Sequence, residues 1–293
     1  MVAPAFEYVA AESYDEAVRL LAEAGDDAKV LAGGQSLMPL LNLRLARPEL
    51  LIDINSADDR QPSVADGTLR LPALTRHRVM IEHDLVRRHC PLLADAVMHV
   101  GNVRVRNRGT VGGSLAHADP TSEIGSCALA TGAHVEVRGP HGDRTVPASE
   151  LFVSYWTTTL GASEIITDVL IPATRPRQGW SFHEMVRRTS DFAVVAVAVM
   201  VELDERSDRI AGTRVALAGV ADRVTLVGQD LLSGLADGTG DEVSIDAAAG
   251  AIADRLDPPA DVHASGDYRR RLVRVLTARA LREAYTRAAG GAA

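Results

Sequence analysis

Lysine is nearly missing from this chain. Of its 31 lysines and arginines only Lys29 is a lysine. A P-loop or a Schiff-base site, each of which needs a lysine, therefore has one candidate. Cysteine is scarce as well: Cys90 and Cys127 stand far apart and without pattern. A disulfide framework or a CxxC-type zinc site asks for more. An iron–sulfur cluster needs more thiolates than this chain has. Long apolar runs are absent too. The longest, FAVVAVAVMV from Phe192 to Val201, is about half of what a membrane span needs. The opening MVAPAFEYVA lacks a basic region followed by an apolar core, so a signal peptide is not expected. The formal net charge of −8 argues against a general nucleic-acid binder or a basic membrane-surface protein. These features together lead to the expectation of a soluble, cytoplasmic protein.

What is present is a globular chain of 293 residues, long enough for two or three subdomains. SYDEAVRLLAEAG opens the regular structure. Ser13 and Glu16 fit a capping box, apolar residues follow at helical spacing, and Gly25 supplies the stop. AKVLAGG reads as a short buried strand ending in glycines, and LLIDI at 50–54 as another strand. TLRLPALT has strand character, and PLLADAVMHVG looks helical with Pro91 at its start. RNRGTVGGSLAHADPTSEIG reads as a long loop that enters a helix near Thr121 to Leu129. AHVEVRG, RTVPASEL and SEIITDVLIP read as strands. FAVVAVAVMVEL and TRVALAGV, separated by a charged turn, predict an antiparallel meander. Two helices are expected near 244–256 and 267–288, the last with an apolar stripe through Leu272, Leu276, Ala280, Leu281 and Ala284.

Two stretches share one chemistry. VLAGGQSLMPLL carries Gly33 and Gly34 before Gln35 and Ser36. GTVGGSLAHADP carries Gly112 and Gly113 between Thr110 and Ser114. Glycine lets backbone N–H groups come close to a phosphate and permits positive φ. Successive N–H groups form an anion-binding nest, to which hydroxyls add donors. Two such loops can grip one pyrophosphate from opposite sides, or each can be an ordinary tight turn. Neither contains the lysine of a P-loop. Neither has the G-x-G-x-x-G spacing of a Rossmann fingerprint.

AGGQSLMPLLNLRLARPELLIDI, taken with RNRGTVGGSLAHADPTSEI, resembles the FAD-binding medium subunit of the molybdenum hydroxylases. That family includes flavin subunits of carbon monoxide, xanthine, nicotine-type and caffeine-type dehydrogenases. EIITDVLIP, FHEMVRRTSDFAVVAVA and YRRRLVRVLTARAL extend the likeness along the chain. The resemblance implies an α+β protein: a two-subdomain FAD-binding fold of the vanillyl-alcohol oxidase type, over 1–55 and 56–176. A C-terminal domain with an antiparallel sheet and helices would cover 177–288. It implies that Ala32, Gly33, Gly34, Gln35 and Ser36, flanked by Leu31 and Leu37, bind the FAD pyrophosphate from one side. Thr110, Gly112, Gly113 and Ser114 would bind it from the other. Val100 and Gly101 would lie along the cofactor, and Glu123 would accept from the adenosine ribose. Ile166 would pack near the flavin or adenine, and Phe192 beside the isoalloxazine ring. Many members have asparagine in place of Ser114, and some have lysine in place of His183.

The implied assembly has a large molybdopterin subunit and a small subunit with two [2Fe–2S] clusters, as a dimer of heterotrimers. Electrons would reach FAD from the clusters and leave for an external acceptor, with no catalytic acid–base residue on this chain. The alternatives are a stand-alone flavin oxidase, an NAD(P)H-linked flavin reductase, and a scaffold that binds no flavin. His77, His83, His89 and His99 lack acidic partners at ligand spacing, so no metal site is expected. They read as surface or hydrogen-bonded histidines. His117 and Asp119 read as structural or cofactor-adjacent.

Overall fold

A computed structural model describes residues 3–290. The chain builds three main sheets in succession. The first is parallel, in the spatial order Glu7–Ala10, Leu50–Asp53, Ala28–Leu31. Helix Tyr14–Ala24 makes the first crossover and buries Tyr14, Ala17, Val18 and Leu21. Its cap forms as expected at Ser13, whose Oγ accepts from the Glu16 N–H. The return bond differs: the Glu16 carboxylate accepts from the N–H of Glu12, one residue before the cap. Gly25 ends the helix at φ 61°. The second crossover contains the first glycine loop and helix Leu37–Asn42.

The second sheet is antiparallel, with five strands in the order Ser63–Ala65, Thr68–Pro72, Ile165–Pro172, His134–Gly139, Gly142–Pro147. Between its second and fourth strands in space lies Ile165–Pro172, which arrives last in sequence. The long excursion from residue 77 to 131 is helical, and this corrects the long-loop reading. It contains helices His77–Glu82, Asp84–His89, Pro91–His99, Val103–Arg108, Val111–His117 and Glu123–Thr131. Polar caps make the short helices possible. Asn102 Oδ1 accepts from the N–H groups of Arg104 and Val105. Thr110 and Ser122 cap the two that follow. RTVPASEL is likewise only partly strand, because Ala148–Leu151 is a helical turn.

The third sheet carries the expected meander, in the order Gln178–Val186, Ala193–Leu203, Ile210–Ala218, Thr225–Leu226. Its first strand was not read from the sequence. Ala193–Leu203 is apolar on both faces because both are covered. Val197, Val199 and Val201 pack with helices Glu242–Arg255 and Gly266–Ala288. Ala196 and Ala198 join the central core beneath Glu123–Thr131. Gly179 admits the long helix: a Cβ there would collide with the carbonyl of Ala284. The stripe from Leu272 to Ala284 is buried as expected. Among the described residues, no helix is long and apolar enough to cross a membrane.

Candidate functional site

The first glycine loop leaves the parallel sheet at the end of strand Ala28–Leu31. Gly34 turns the chain at φ 71°, where a side chain would be strained. The N–H of Met38 returns to the Gly34 carbonyl at 3.0 Å and starts the next helix. Gln35 donates from Nε2 to the Gly33 carbonyl at 3.1 Å. Among the described residues, the N–H groups of Gly33, Gly34, Gln35 and Ser36 have no protein acceptor. Four consecutive unpaired donors in a tight turn form a nest that suits an anion.

The second loop is built differently. The Val111 N–H donates to Thr75 O at 3.0 Å, and the Gly112 N–H to Ala73 O at 2.9 Å. The Gly113 N–H donates to Thr110 Oγ1 at 3.2 Å, and the Ser114 N–H to Thr110 O at 3.0 Å. These four amides are therefore spent inside the protein, while the Thr110 N–H has no protein acceptor among the described residues. What the loop still has to donate are that N–H and the hydroxyl protons of Thr110, which is buried, and of the half-buried Ser114. The two loops are unequal partners: the first offers four N–H groups, the second one N–H and two O–H groups.

The structure brings the loops together. Gly33 is buried against the carbonyl of Arg108, and a Cβ on it would lie 2.9 Å from Gly109 Cα. Ala32 Cβ lies 3.8 Å from where a Cβ on Gly113 would stand. Gly112 is held against Ala73 in the same way. Close backbone approach within the protein thus explains Gly33 and Gly112 directly. Access for a phosphate is not the sole reason for them.

A polar strap that the sequence did not reveal crosses this junction. Arg76 donates to the Arg108 carbonyl and to Asn55 Oδ1, each at 2.5 Å. Asn55 Nδ2 donates to the Ala32 carbonyl at 2.9 Å. One guanidinium therefore ties the first loop to the second through Asn55. Burial and the neighbouring Arg108 charge lower the Arg76 pKa. His77 lies below the second loop, 3 % exposed. Its Nε2 is 3.2 Å from Thr110 O and 3.1 Å from Ser114 Oγ. Burial lowers its pKa to about 4, so the ring is neutral near pH 7.

Glu123 opens helix Glu123–Thr131, capped by Ser122. Burial pushes its carboxyl up to about 7, and Glu184 and Asp119 add to the rise. Glu184, on strand Gln178–Val186, lies 3.3 Å from His99 Nδ1. That contact raises the His99 pKa. Val100 and Gly101 follow, their carbonyls accepting from Arg106 at 3.0 and 2.8 Å. Ile166 is 4 % exposed and belongs to the central core. Phe192 is 73 % exposed at the mouth of a cavity with Thr121, Arg187 and His263. His183 pairs with Glu283 at 2.8 Å. Among the described residues no cluster of three or more histidine, cysteine or acidic side chains is placed to hold a metal.

Comparison with known proteins decides the family. The FAD binding domain in molybdopterin dehydrogenase matches residues 4–174, and the CO dehydrogenase flavoprotein C-terminal domain matches 180–284. The chain belongs to the FAD-binding medium subunits of the molybdenum hydroxylases. As a medium subunit it is 39 % identical to the 6-hydroxypseudooxynicotine dehydrogenase complex subunit alpha of Paenarthrobacter nicotinovorans, over 98 % of this chain and 97 % of that one. It is 35 % identical to the carbon monoxide dehydrogenase medium chain of Hydrogenophaga pseudoflava, over 99 % of this chain and 100 % of the relative. A solved carbon monoxide dehydrogenase from that organism superposes with a TM-score of 0.94, at 35 % identity, covering 98 % of this chain and 99 % of that one. Quinoline 2-oxidoreductase from Pseudomonas putida 86 gives 0.91 at 33 % identity, covering 98 % and 99 %. The fold is therefore the α+β fold of this medium subunit, and the chain is the flavoprotein component of an oxidoreductase.

Proposed function

We propose that this chain holds FAD with its pyrophosphate between the two glycine loops. The observation that carries the proposal is the meeting of the loops at Gly33 and Arg108, with four unpaired N–H groups on one side and the Thr110 N–H with two hydroxyls on the other. Gly33, Gly34, Gln35 and Ser36 donate from the backbone, with Ala32, Leu31 and Leu37 shaping the turn. Thr110 and Ser114 donate from the side chain, while Gly112 and Gly113 keep their helix close. Asn55 and Arg76 hold the two sides in register. Glu123 accepts from the adenosine ribose. Val100, Gly101, Ile166 and Phe192 line the rest of the path, Ile166 from within the core. When bound, the flavin links the [2Fe–2S] clusters of a small subunit to an external electron acceptor. This chain's own part is to bind, orient and shield, with no acid or base of its own in the reaction.

The three sheets support the division into 1–55, 56–176 and 177–288. The partners are a large molybdopterin subunit and a small iron–sulfur subunit, arranged as a dimer of heterotrimers in the cytoplasm. Titration of the full chain, alone and with those partners, tests the site. FAD should bind more tightly than FMN, and Glu123→Ala should weaken FAD more than FMN. Equal loss of both would remove Glu123 from the ribose.

A further inference from the structure

His77 is a buried histidine whose two ring nitrogens differ sharply in their surroundings. Nε2 faces two oxygens, Thr110 O at 3.2 Å and Ser114 Oγ at 3.1 Å. Nδ1 has no hydrogen-bond partner among the described residues. It faces the backbone of Gly109, where a Cβ would lie 2.8 Å from it. A carbonyl oxygen only accepts, so the nitrogen that faces Thr110 has to carry the hydrogen. The opposite tautomer would set a lone pair against the carbonyl and bury an N–H with no acceptor. The ring is therefore the neutral Nε2–H form. Its single N–H spans both oxygens, and Ser114 Oγ is an acceptor in that contact. The hydroxyl hydrogen of Ser114 has to point away from His77.

We propose that His77 is a positioning residue of the phosphate site: it holds the Ser114 hydroxyl as an outward donor to an anionic oxygen. This rests on the reading that the two loops hold the FAD pyrophosphate. The backbone amides of Val111, Gly112, Gly113 and Ser114 are already committed to Ala73, Thr75 and Thr110. Besides the single free N–H of Thr110, that loop answers an anion through hydroxyls, so the direction of the Ser114 O–H matters. Serine reaches less far than asparagine, which makes a fixed orientation more valuable here. The backbone N–H of the same residue donates to Gly109 O at 3.0 Å and fixes the start of helix His77–Glu82 beside the loop.

The test uses the deflavinated full chain, alone and with its partner subunits, titrated with FAD by flavin fluorescence. Hydrogen bonds to charged groups predict that His77→Phe and Ser114→Ala each weaken FAD by about 10- to 100-fold. The double variant should be no weaker than the weaker single, because both changes remove one donor. His77→Gln, which keeps an N–H near the same place, should recover most of the loss. Nitrogen NMR of the wild-type ring reads the tautomer without any variant, and should show hydrogen on Nε2 alone. A hydrogen on Nδ1, or losses that multiply in the double variant, would overturn the proposal. A folded wild-type chain that takes up no FAD in either form would instead overturn the reading beneath it.

Discussion

Gly33 backs onto the carbonyl group of Arg108, and the fit leaves no space for a Cβ. Residues 75 positions apart in sequence thus form one seam, and both proposed phosphate-binding loops hang from it. A methyl group at Gly33 has to push the second loop away.

Gly33→Ala is accordingly expected to lower stability by about 1–3 kcal/mol, as overpacking does, and to reduce bound flavin. Gly234 is the control: a Cβ there meets nothing within 4 Å. Gly234→Ala should leave both unchanged. Thermal unfolding and FAD content per chain provide the check. Wild-type values for Gly33→Ala would contradict the seam.

Arg76 and Asn55 act in series across that seam. Replacing Arg76 with lysine keeps the charge but loses the fork that reaches two acceptors. Faster amide exchange is expected both at Met38, whose N–H closes the first loop, and at Arg106 and Gly109 before the second, and Asn55→Ala should loosen the same two places. Exchange confined to the neighbourhood of residue 76 would show that the strap carries no coupling.

Glu123 gives a pH dependence with a definite sign. Its carboxyl titrates near 4.5 unfolded and is pushed up to about 7 by burial. Folding therefore favours the protonated form, and stability falls as pH rises from 4.5 to 7. The fall is on the order of 3 kcal/mol. Above that window the loss is complete. Glu123→Gln should abolish this part of the slope. Urea unfolding of both proteins across the window measures it, and parallel curves would refute the assignment.

Arg269 supports the C-terminal domain. It is 4 % exposed, donates to the carbonyls of Val194 and Gly219, and pairs with Asp261 at 2.6 Å. Arg269→Met leaves two buried carbonyls without their donor, at a cost of about 1–3 kcal/mol each, while the exposed Asp261 keeps its backbone donors. Denaturant midpoints check this, with Arg269→Lys expected to recover only part.

The features visible in the sequence are those that local chemistry determines. The Ser13 cap, the Gly25 stop, the apolar stripe of the last helix and the paired glycines all follow from neighbours in the chain. Helices Val103–Arg108 and Val111–His117 were hidden because glycines and arginines obscure their period, and their caps at Asn102 and Thr110 look like loop residues. Strand Gln178–Val186 mixes Gly179, Trp180, His183 and Glu184 and lacks a clean alternation. Arg76, Asn55 and Arg108 meet only because the sheets bring distant segments together. No local pattern marks that meeting. The same holds for the unequal donors of the two loops, since the acceptors for the second lie back at Ala73 and Thr75.

The central claim is that the paired loops hold one FAD. The visible absorption spectrum of the purified full chain, with identification of whatever heat or acid releases, tests it most directly. One non-covalent FAD per chain, without iron–sulfur absorption from this chain, is the predicted result. A folded chain that stays colourless and takes up no added FAD, alone or with its partner subunits, would contradict it.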